Sequence, residues 1–100
     1  MKIKSFKAHL ESRLNKQEIA EIESAAQMEY SATKILQDDI SKAVIQYMST
    51  NDIGFNDFVK KLGKSPSQVS KIIKGEANLT ITSIAQIFSI MGKIPHIKYV

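Results

Sequence analysis

Residues that could carry out catalysis or hold a metal are few in this sequence and are badly spaced for either task. His9 and His96, the two histidines, lie near opposite ends of the chain, and neither has a second histidine or a carboxylate at a helical metal-binding spacing. Asp38 and Asp39 are adjacent, so on a helix they point about 100° apart and cannot face each other as a catalytic pair. The chain has no cysteine and no glycine-rich phosphate loop. The sequence therefore predicts a protein that is not an enzyme and has no metal or cofactor.

Positive charge, by contrast, is concentrated in the second half of the chain. From Lys60 to the end there are seven lysines against one acidic residue, Glu76, whereas residues 17–39 contain one lysine and six acidic residues. This asymmetry predicts a basic surface that attracts a polyanion such as a nucleic acid, and an acidic surface for another partner. Helices at a surface are also often uneven in charge, and that alternative stays open. Five of the lysines lie within the stretch from Gly54 to Gly75: Lys60, Lys61, Lys64, Lys71 and Lys74.

The stretch 54–75, GFNDFVKKLGKSPSQVSKIIKG, predicts two short helices joined by a tight turn. In its first part, apolar residues fall at the helical positions i, i+3, i+4 and i+7: Phe55, Phe58, Val59 and Leu62. Gly63 follows them and suits the left-handed backbone that ends a helix. Ser65 is expected to be an N-cap and Pro66 the first helical residue, because the missing N–H of proline is not needed there. The second helix should turn its apolar residues inward: Val69, Ile72 and Ile73.

This arrangement resembles the helix-turn-helix of the Xre family, the lambda-repressor-like transcriptional regulators. Val59 lies four positions before the turn glycine, Gly63, and the apolar residues Val69 and Ile72 lie six and nine positions after it. The resemblance extends from about residue 39 to residue 92 through further matching positions: Gly75, Asn78, Thr80, Ile81, Ile84, Ala85, Ile87 and Gly92. The chain departs from the family at four positions: Phe55 and Pro66, where glutamine is common, Lys64, which is usually apolar, and Val59, which is usually smaller.

The resemblance implies an all-α fold, a lambda-repressor-like helical bundle over residues 38–92, that binds double-stranded DNA. In such a protein the second motif helix enters the major groove and the first crosses the DNA backbone. The positions that match the base-reading sites of the family are Ser67, Gln68 and Lys71, where Gln68 could pair with adenine and Lys71 with guanine. The candidates for phosphate contact are Asn56, Lys60, Lys64, Ser65, Lys74 and Asn78. One domain makes few phosphate contacts, so a homodimer that reads two half-sites is expected.

The two ends of the chain carry different patterns. In residues 1–37 we expect a helical extension, with a short helix from Ser5 and a longer one capped by Asn15. The longer helix is expected to carry its apolar residues on one face and to run into the first helix of the domain. In residues 93–100 Ile97 and Tyr99 alternate with polar residues, which predicts a short β-strand. A lone strand needs another strand, either from a second subunit or from a partner protein.

The N-terminal extension followed by this domain resembles the HigA group of antitoxins, through the stretch KQEIAEIESAAQMEY from Lys16 to Tyr30. That resemblance implies a basic toxin, an mRNA endonuclease, which the acidic helix would bind while the pair represses its own operon. The residues expected to bind this partner are Ile19, Ile22, Glu23, Ala26 and Tyr30.

Three alternatives remain open at this point. The extension could pack on its own domain, the protein could be a stand-alone or phage-type repressor without a toxin, or it could be a protein-interaction module that has lost DNA binding. Phe55 and Pro66 are the best support for the last of these. No apolar run is long enough for a membrane span and no signal peptide is recognisable, so a cytoplasmic location is expected.

Overall fold

The computed structural model describes residues 16–99 and contains four α-helices in that range. They are α1 (Lys16–Thr50), α2 (Phe55–Leu62), α3 (Pro66–Ile73) and α4 (Ile81–Ile90). No strand occurs among residues 16–99, so the predicted all-α class is confirmed for the described chain. None of the helices in this range is both long enough and apolar enough to cross a membrane.

The first helix, α1, is continuous over 35 residues. It contains no proline or glycine that would interrupt it, and the prediction that the N-terminal helix runs into the next one is confirmed. The expected cap Asn15 and the expected short helix from Ser5 lie outside the described residues. The chain divides into two compact units between Thr33 and Lys34, and each unit is described separately below.

The connection between α1 and α2 forms a tight turn where turn-forming residues cluster. Asp52 adopts a left-handed conformation with φ of 51°, and the N–H of Ile53 donates to the carbonyl of Met48 at 2.8 Å. The side chain of Asn51 donates to the carbonyl of Tyr47 at 2.8 Å. The first bond satisfies a carbonyl that the end of α1 would otherwise leave free, and the second adds to the bond from the Asn51 backbone N–H to the same Tyr47 carbonyl at 3.1 Å.

The predicted geometry between α2 and α3 is observed. Gly63 has a φ of 71°, and its N–H donates to the Val59 carbonyl, which ends α2. Ser65 caps α3, with Pro66 as the first helical residue. Only three residues separate the two helices, and α2 also packs against α4.

Side chains from all four helices form one core in the unit that begins at Lys34. The fully or nearly fully buried apolar residues are Val44, Phe58, Val69, Ile72, Ile87 and Met91. Burial of each such side chain contributes about 1.5–3 kcal/mol. Phe58 lies at the centre, with its ring 6.3 Å from that of Tyr47. Phe55, predicted on the same apolar stripe, is 37% exposed because it starts the helix at the edge of the core.

The last helix, α4, begins after Thr80, whose side chain accepts a hydrogen bond from the Ser83 N–H. Residues 93–99 that follow are exposed and are neither helix nor strand. The strand expected at 93–100 needs a second strand, and residues 16–99 of one chain provide none. It therefore stays a prediction that concerns the assembled protein.

Candidate nucleic-acid interface

The orientation of α3 is fixed by its apolar side. Val69 is fully buried and Ile72 is 2% exposed, so this side of the helix faces the core. The three predicted base-reading residues, Ser67, Gln68 and Lys71, all lie on the exposed side. The structure thus brings them together on one outward face, over about a turn and a half of helix.

The N-terminus of α3 is closed by a reciprocal capping box between Ser65 and Gln68. The backbone N–H of Gln68 donates to Ser65 Oγ at 3.2 Å, and the backbone N–H of Ser65 donates to Gln68 Oε1 at 3.1 Å. Gln68 Nε2 and the Ser65 hydroxyl hydrogen remain available as donors. A bidentate pair between Gln68 and adenine needs Oε1 as well, so the capping box would have to open for that contact.

The lysines around α3 form a surface without acidic neighbours in sequence, since no Asp or Glu occurs between Asp57 and Glu76. Lys60 and Lys74 are exposed, and Lys64 is partly buried in the turn. All three were predicted phosphate contacts, and their arrangement around α2 and α3 gives a basic surface, which attracts phosphate groups.

Lys61 behaves differently from its neighbour Lys60. Its ammonium group lies 3.2 Å from the hydroxyl oxygen of Tyr47 and 5.8 Å from the centroid of the Tyr47 ring. This hydrogen bond and cation–π contact direct the charge of Lys61 toward α1. Lys60 thus differs from Lys61 in having no such partner among the described residues.

The loop between α3 and α4 is held by polar side chains of α1. Ser41 Oγ donates to the carbonyl of Ile73, the last residue of α3, and Lys34 Nζ donates to the Gly75 carbonyl at 3.0 Å. Gln37 Nε2 donates to the carbonyl of Ala77 at 3.0 Å. These three α1 residues were missed in the sequence. Their spacing of i, i+3 and i+7 continues the inward face of α1, which is the signal that could have revealed them.

The same loop carries Asn78, a predicted phosphate contact, whose side chain is exposed. Gln37 Nε2 also donates to Asn78 Oδ1, at 3.3 Å. Gly75 lies close to α1 and has a φ of +71°, and a Cβ there would come within 2.8 Å of Asp38 Oδ1. A glycine is therefore favoured at this position by the backbone conformation, and any other residue would also have to displace the Asp38 carboxylate.

The remaining predicted residues are placed as follows. Asn56 is exposed in the first turn of α2. Among the predicted partner-binding residues of the first unit, Ile19 is partly buried, and four are exposed: Ile22, Glu23, Ala26 and Tyr30. Their sequence spacing places these side chains along one face of α1. In the second unit, Ile97 and Tyr99 are 70% and 91% exposed.

The histidines and carboxylates of residues 16–99 form no group of three that could hold a metal ion. Comparisons of the chain with protein-family models, curated proteins and solved structures found no match. Functional conclusions therefore rest on the geometry described above.

Proposed function

We propose that α2, the Gly63 turn and α3 form a helix-turn-helix of the lambda-repressor-like kind, and that the protein is a sequence-specific DNA-binding transcriptional repressor. One observation carries the proposal. The core holds α3 by Val69 and Ile72, which leaves Ser67, Gln68 and Lys71 together on an exposed face within an acid-free stretch of chain. An exposed helix of this composition suits the major groove, where side chains meet base edges.

In the proposed complex, the N-terminal half of α3 reads bases and α2 lies across the DNA backbone. Lys71 donates to guanine O6 and N7, and Gln68 offers its Nε2 to an acceptor on a base. Phosphates are contacted by residues around the motif: Asn56, Lys60, Lys64, Ser65, Lys74 and Asn78. The protein performs no catalysis in this proposal. A repressor acts where the DNA is, which implies a cytoplasmic location.

A homodimer is the working unit that we propose, because two half-sites about 34 Å apart need two copies of α3. The C-terminal segment offers a route to it. Within the described residues, positions 94–99 make no backbone hydrogen bond, and Ile97 and Tyr99 expose apolar side chains. Pairing of this segment with its copy would satisfy the free backbone groups and cover both residues.

We further propose that the protein is the antitoxin of a toxin–antitoxin pair and represses its own operon. The support is the first unit of α1, where the exposed Ile22 (43%) and Tyr30 (71%) lie among acidic residues such as Glu23. A basic toxin, here an mRNA endonuclease, would be attracted by the charge and held by the apolar contacts. Ile19 and Ala26 complete this proposed binding face.

A second candidate function is a protein-interaction module without DNA binding. It is favoured by one observation, the bond from the Ser65 N–H to Gln68 Oε1, which occupies half of the proposed adenine-reading group. The test is a fluorescence anisotropy titration with the DNA upstream of its own coding sequence and with a scrambled duplex. We expect about a hundredfold tighter binding to the upstream DNA, with affinity falling steeply between about 50 and 200 mM salt. Weak binding that ignores sequence would favour the interaction module.

The antitoxin proposal has its own test. The basic protein encoded beside this chain is purified with wild-type protein and with the variant Ile22→Asp/Tyr30→Asp. We expect the wild-type complex to survive gel filtration and the variant complex to dissociate, because charges would replace apolar contacts. The variant Met28→Asp/Ile35→Asp, which changes other exposed residues of α1, is the matched control and should still bind. If the neighbouring protein does not bind the wild-type chain, the antitoxin proposal fails and the stand-alone repressor is the remaining interpretation.

A further inference from the structure

The side chain of Gln37 connects α1 directly to Asn78, a residue proposed to contact a DNA phosphate. Gln37 Nε2 is shared between the carbonyl oxygen of Ala77 and Oδ1 of Asn78, at 3.0 Å and 3.3 Å. The Asn78 side chain is exposed, whereas Gln37 is partly buried. Gln37 can therefore restrain the exposed Asn78 side chain, because α1 is held on the core through Val44.

The chemistry of a carboxamide makes this contact directional. Asn78 carries an acceptor oxygen and a donor NH₂ on the same planar carboxamide carbon. Because Gln37 donates to Oδ1, the oxygen is turned toward α1 and Nδ2 is left to donate to another group. Only Nδ2 can donate to a phosphate oxygen, and Oδ1 in its place would be repelled. The hydrogen bond selects the orientation of Asn78 that suits an anion.

We propose that Gln37 is a positioning residue for DNA binding, which fixes the Asn78 carboxamide with its NH₂ group toward the phosphate backbone. This inference rests on the proposed function and adds to it a residue that need not touch DNA. It also explains why a polar residue stands at position 37, on the face of α1 that continues through Ile40 and Val44 into the core. Part of the DNA-binding surface is then organised from outside the two motif helices.

Lys34 provides the matched control, because it holds the same loop without touching Asn78. Its Nζ donates to the Gly75 carbonyl at 3.0 Å and lies 3.7 Å from Asp38 Oδ1. Lys34→Met removes one bond from α1 to a loop carbonyl, as Gln37→Leu does at Ala77, but it leaves the Gln37–Asn78 contact in place. A merely structural effect on the loop would appear in both variants.

The test is a double-mutant cycle on DNA affinity with Gln37→Leu, Asn78→Ala and the double variant, using the upstream and the scrambled duplex. We expect each single variant to weaken binding to both duplexes by about three- to tenfold. The salt dependence should stay nearly unchanged, since Asn78 is uncharged and releases no counterion. The double variant should bind like Asn78→Ala alone, because in this proposal Gln37 changes DNA affinity through Asn78 and not through its bond to the Ala77 carbonyl. Losses that add in the double variant would overturn the proposal.

A second measurement examines the free protein, so that the inference can be separated from the proposed function. In ¹H–¹⁵N NMR spectra, the side-chain NH₂ of Asn78 should be ordered in wild-type protein and in Lys34→Met, and mobile in Gln37→Leu. An Asn78 side chain equally ordered in Gln37→Leu would overturn the positioning role, even if DNA binding is specific. If wild-type protein binds neither duplex, the proposed function fails, and with it the DNA role of Gln37, whatever the spectra show.

Discussion

Ser65 and Gln68 bond to each other twice, each through its backbone N–H to the side-chain oxygen of the other, at 3.2 Å and 3.1 Å. The pair stabilises the start of α3, and it also takes the acceptor of the side chain best suited to read adenine. Helix stability and the proposed base reading would therefore compete for the same oxygen atom. The competition can be measured, because the two roles respond differently to substitution.

The first prediction concerns Gln68→Glu. Glutamate keeps the acceptor of the capping box and adds a negative charge near the N-terminus of α3, so thermal stability should be maintained or slightly raised. DNA affinity should fall by about tenfold or more, because the NH₂ donor is lost and phosphates repel the charge. Thermal denaturation and anisotropy titrations measure the two effects. The control Gln68→Ala should lose both stability and sequence preference. Unchanged affinity in Gln68→Glu would show that Gln68 serves the helix alone.

The second prediction concerns the two glycines with left-handed backbones in this region, Gly63 and Gly75. Both have φ of 71°, but a Cβ at Gly63 would meet nothing within 4 Å, whereas one at Gly75 would lie 2.8 Å from Asp38 Oδ1. Gly63→Ala should therefore cost only the conformational strain, about 1–2 kcal/mol of the free energy of unfolding. Gly75→Ala should cost only slightly more, by no more than the weak ion pair with Lys34 that Asp38 gives up when its carboxylate rotates away.

Urea denaturation of both variants and of Gly75→Ala/Asp38→Ala checks this assignment. Removal of the Asp38 carboxylate should reduce the cost of Gly75→Ala to that of Gly63→Ala, because only the backbone strain remains. Asp38→Ala alone should be nearly neutral, as its side chain is 49% exposed and its ion pair is weak. If the two glycine substitutions lower the free energy of unfolding equally in the wild-type background, the Asp38 side chain moves away without a measurable cost.

The sequence predicted what depends on local rules. Gly63, Ser65 and Pro66 mark helix ends through the conformations and hydrogen bonds open to those residue types, so the end of α2 and the start of α3 could be predicted without a structure. The hydrogen bonds that hold the loop after α3 could not be predicted in this way, because those of Lys34 and Gln37 span about forty positions. Spacing shows that residues share a helix face and does not show which carbonyl that face meets.

The third prediction separates base reading from phosphate contact. Lys71→Ala should weaken binding to the upstream DNA far more than to a scrambled duplex, because Lys71 lies on the exposed face of α3. Lys60→Ala should weaken both equally and reduce the slope of log K against log salt by about 0.9, the contribution of one phosphate. Lys61→Ala is the control. The Lys61 ammonium group donates to the Tyr47 hydroxyl at 3.2 Å and is directed away from the proposed DNA surface, so Lys61→Ala should leave the slope of log K against log salt unchanged. Equal losses on both duplexes for Lys71→Ala would remove Lys71 from the base-reading set.

The fourth prediction concerns the C-terminal segment. Deletion of residues 95–100 should convert a dimer into a monomer, measured as mass by light scattering after gel filtration, because the deletion removes both exposed apolar side chains, Ile97 and Tyr99. The full-length variant Ile97→Ser/Tyr99→Ser should weaken the dimer without abolishing it. In the control His96→Ser/Lys98→Ser the substitutions fall on the opposite side of the alternation, where they leave the apolar contact intact, so this variant should stay dimeric.

Because these two variants keep the full chain length, they also show whether the deletion acts by removing the apolar contacts or only by shortening the chain. Backbone hydrogen bonds between paired strands do not depend on side chains, so the apolar substitutions should weaken the dimer through burial alone and leave a concentration-dependent remnant. A monomer should bind one half-site weakly, and its loss of affinity should be largest on the intact operator. A mass unchanged by the deletion would mean that another surface pairs the subunits. The exposed Ile81 at the start of α4 would then be the next residue to substitute.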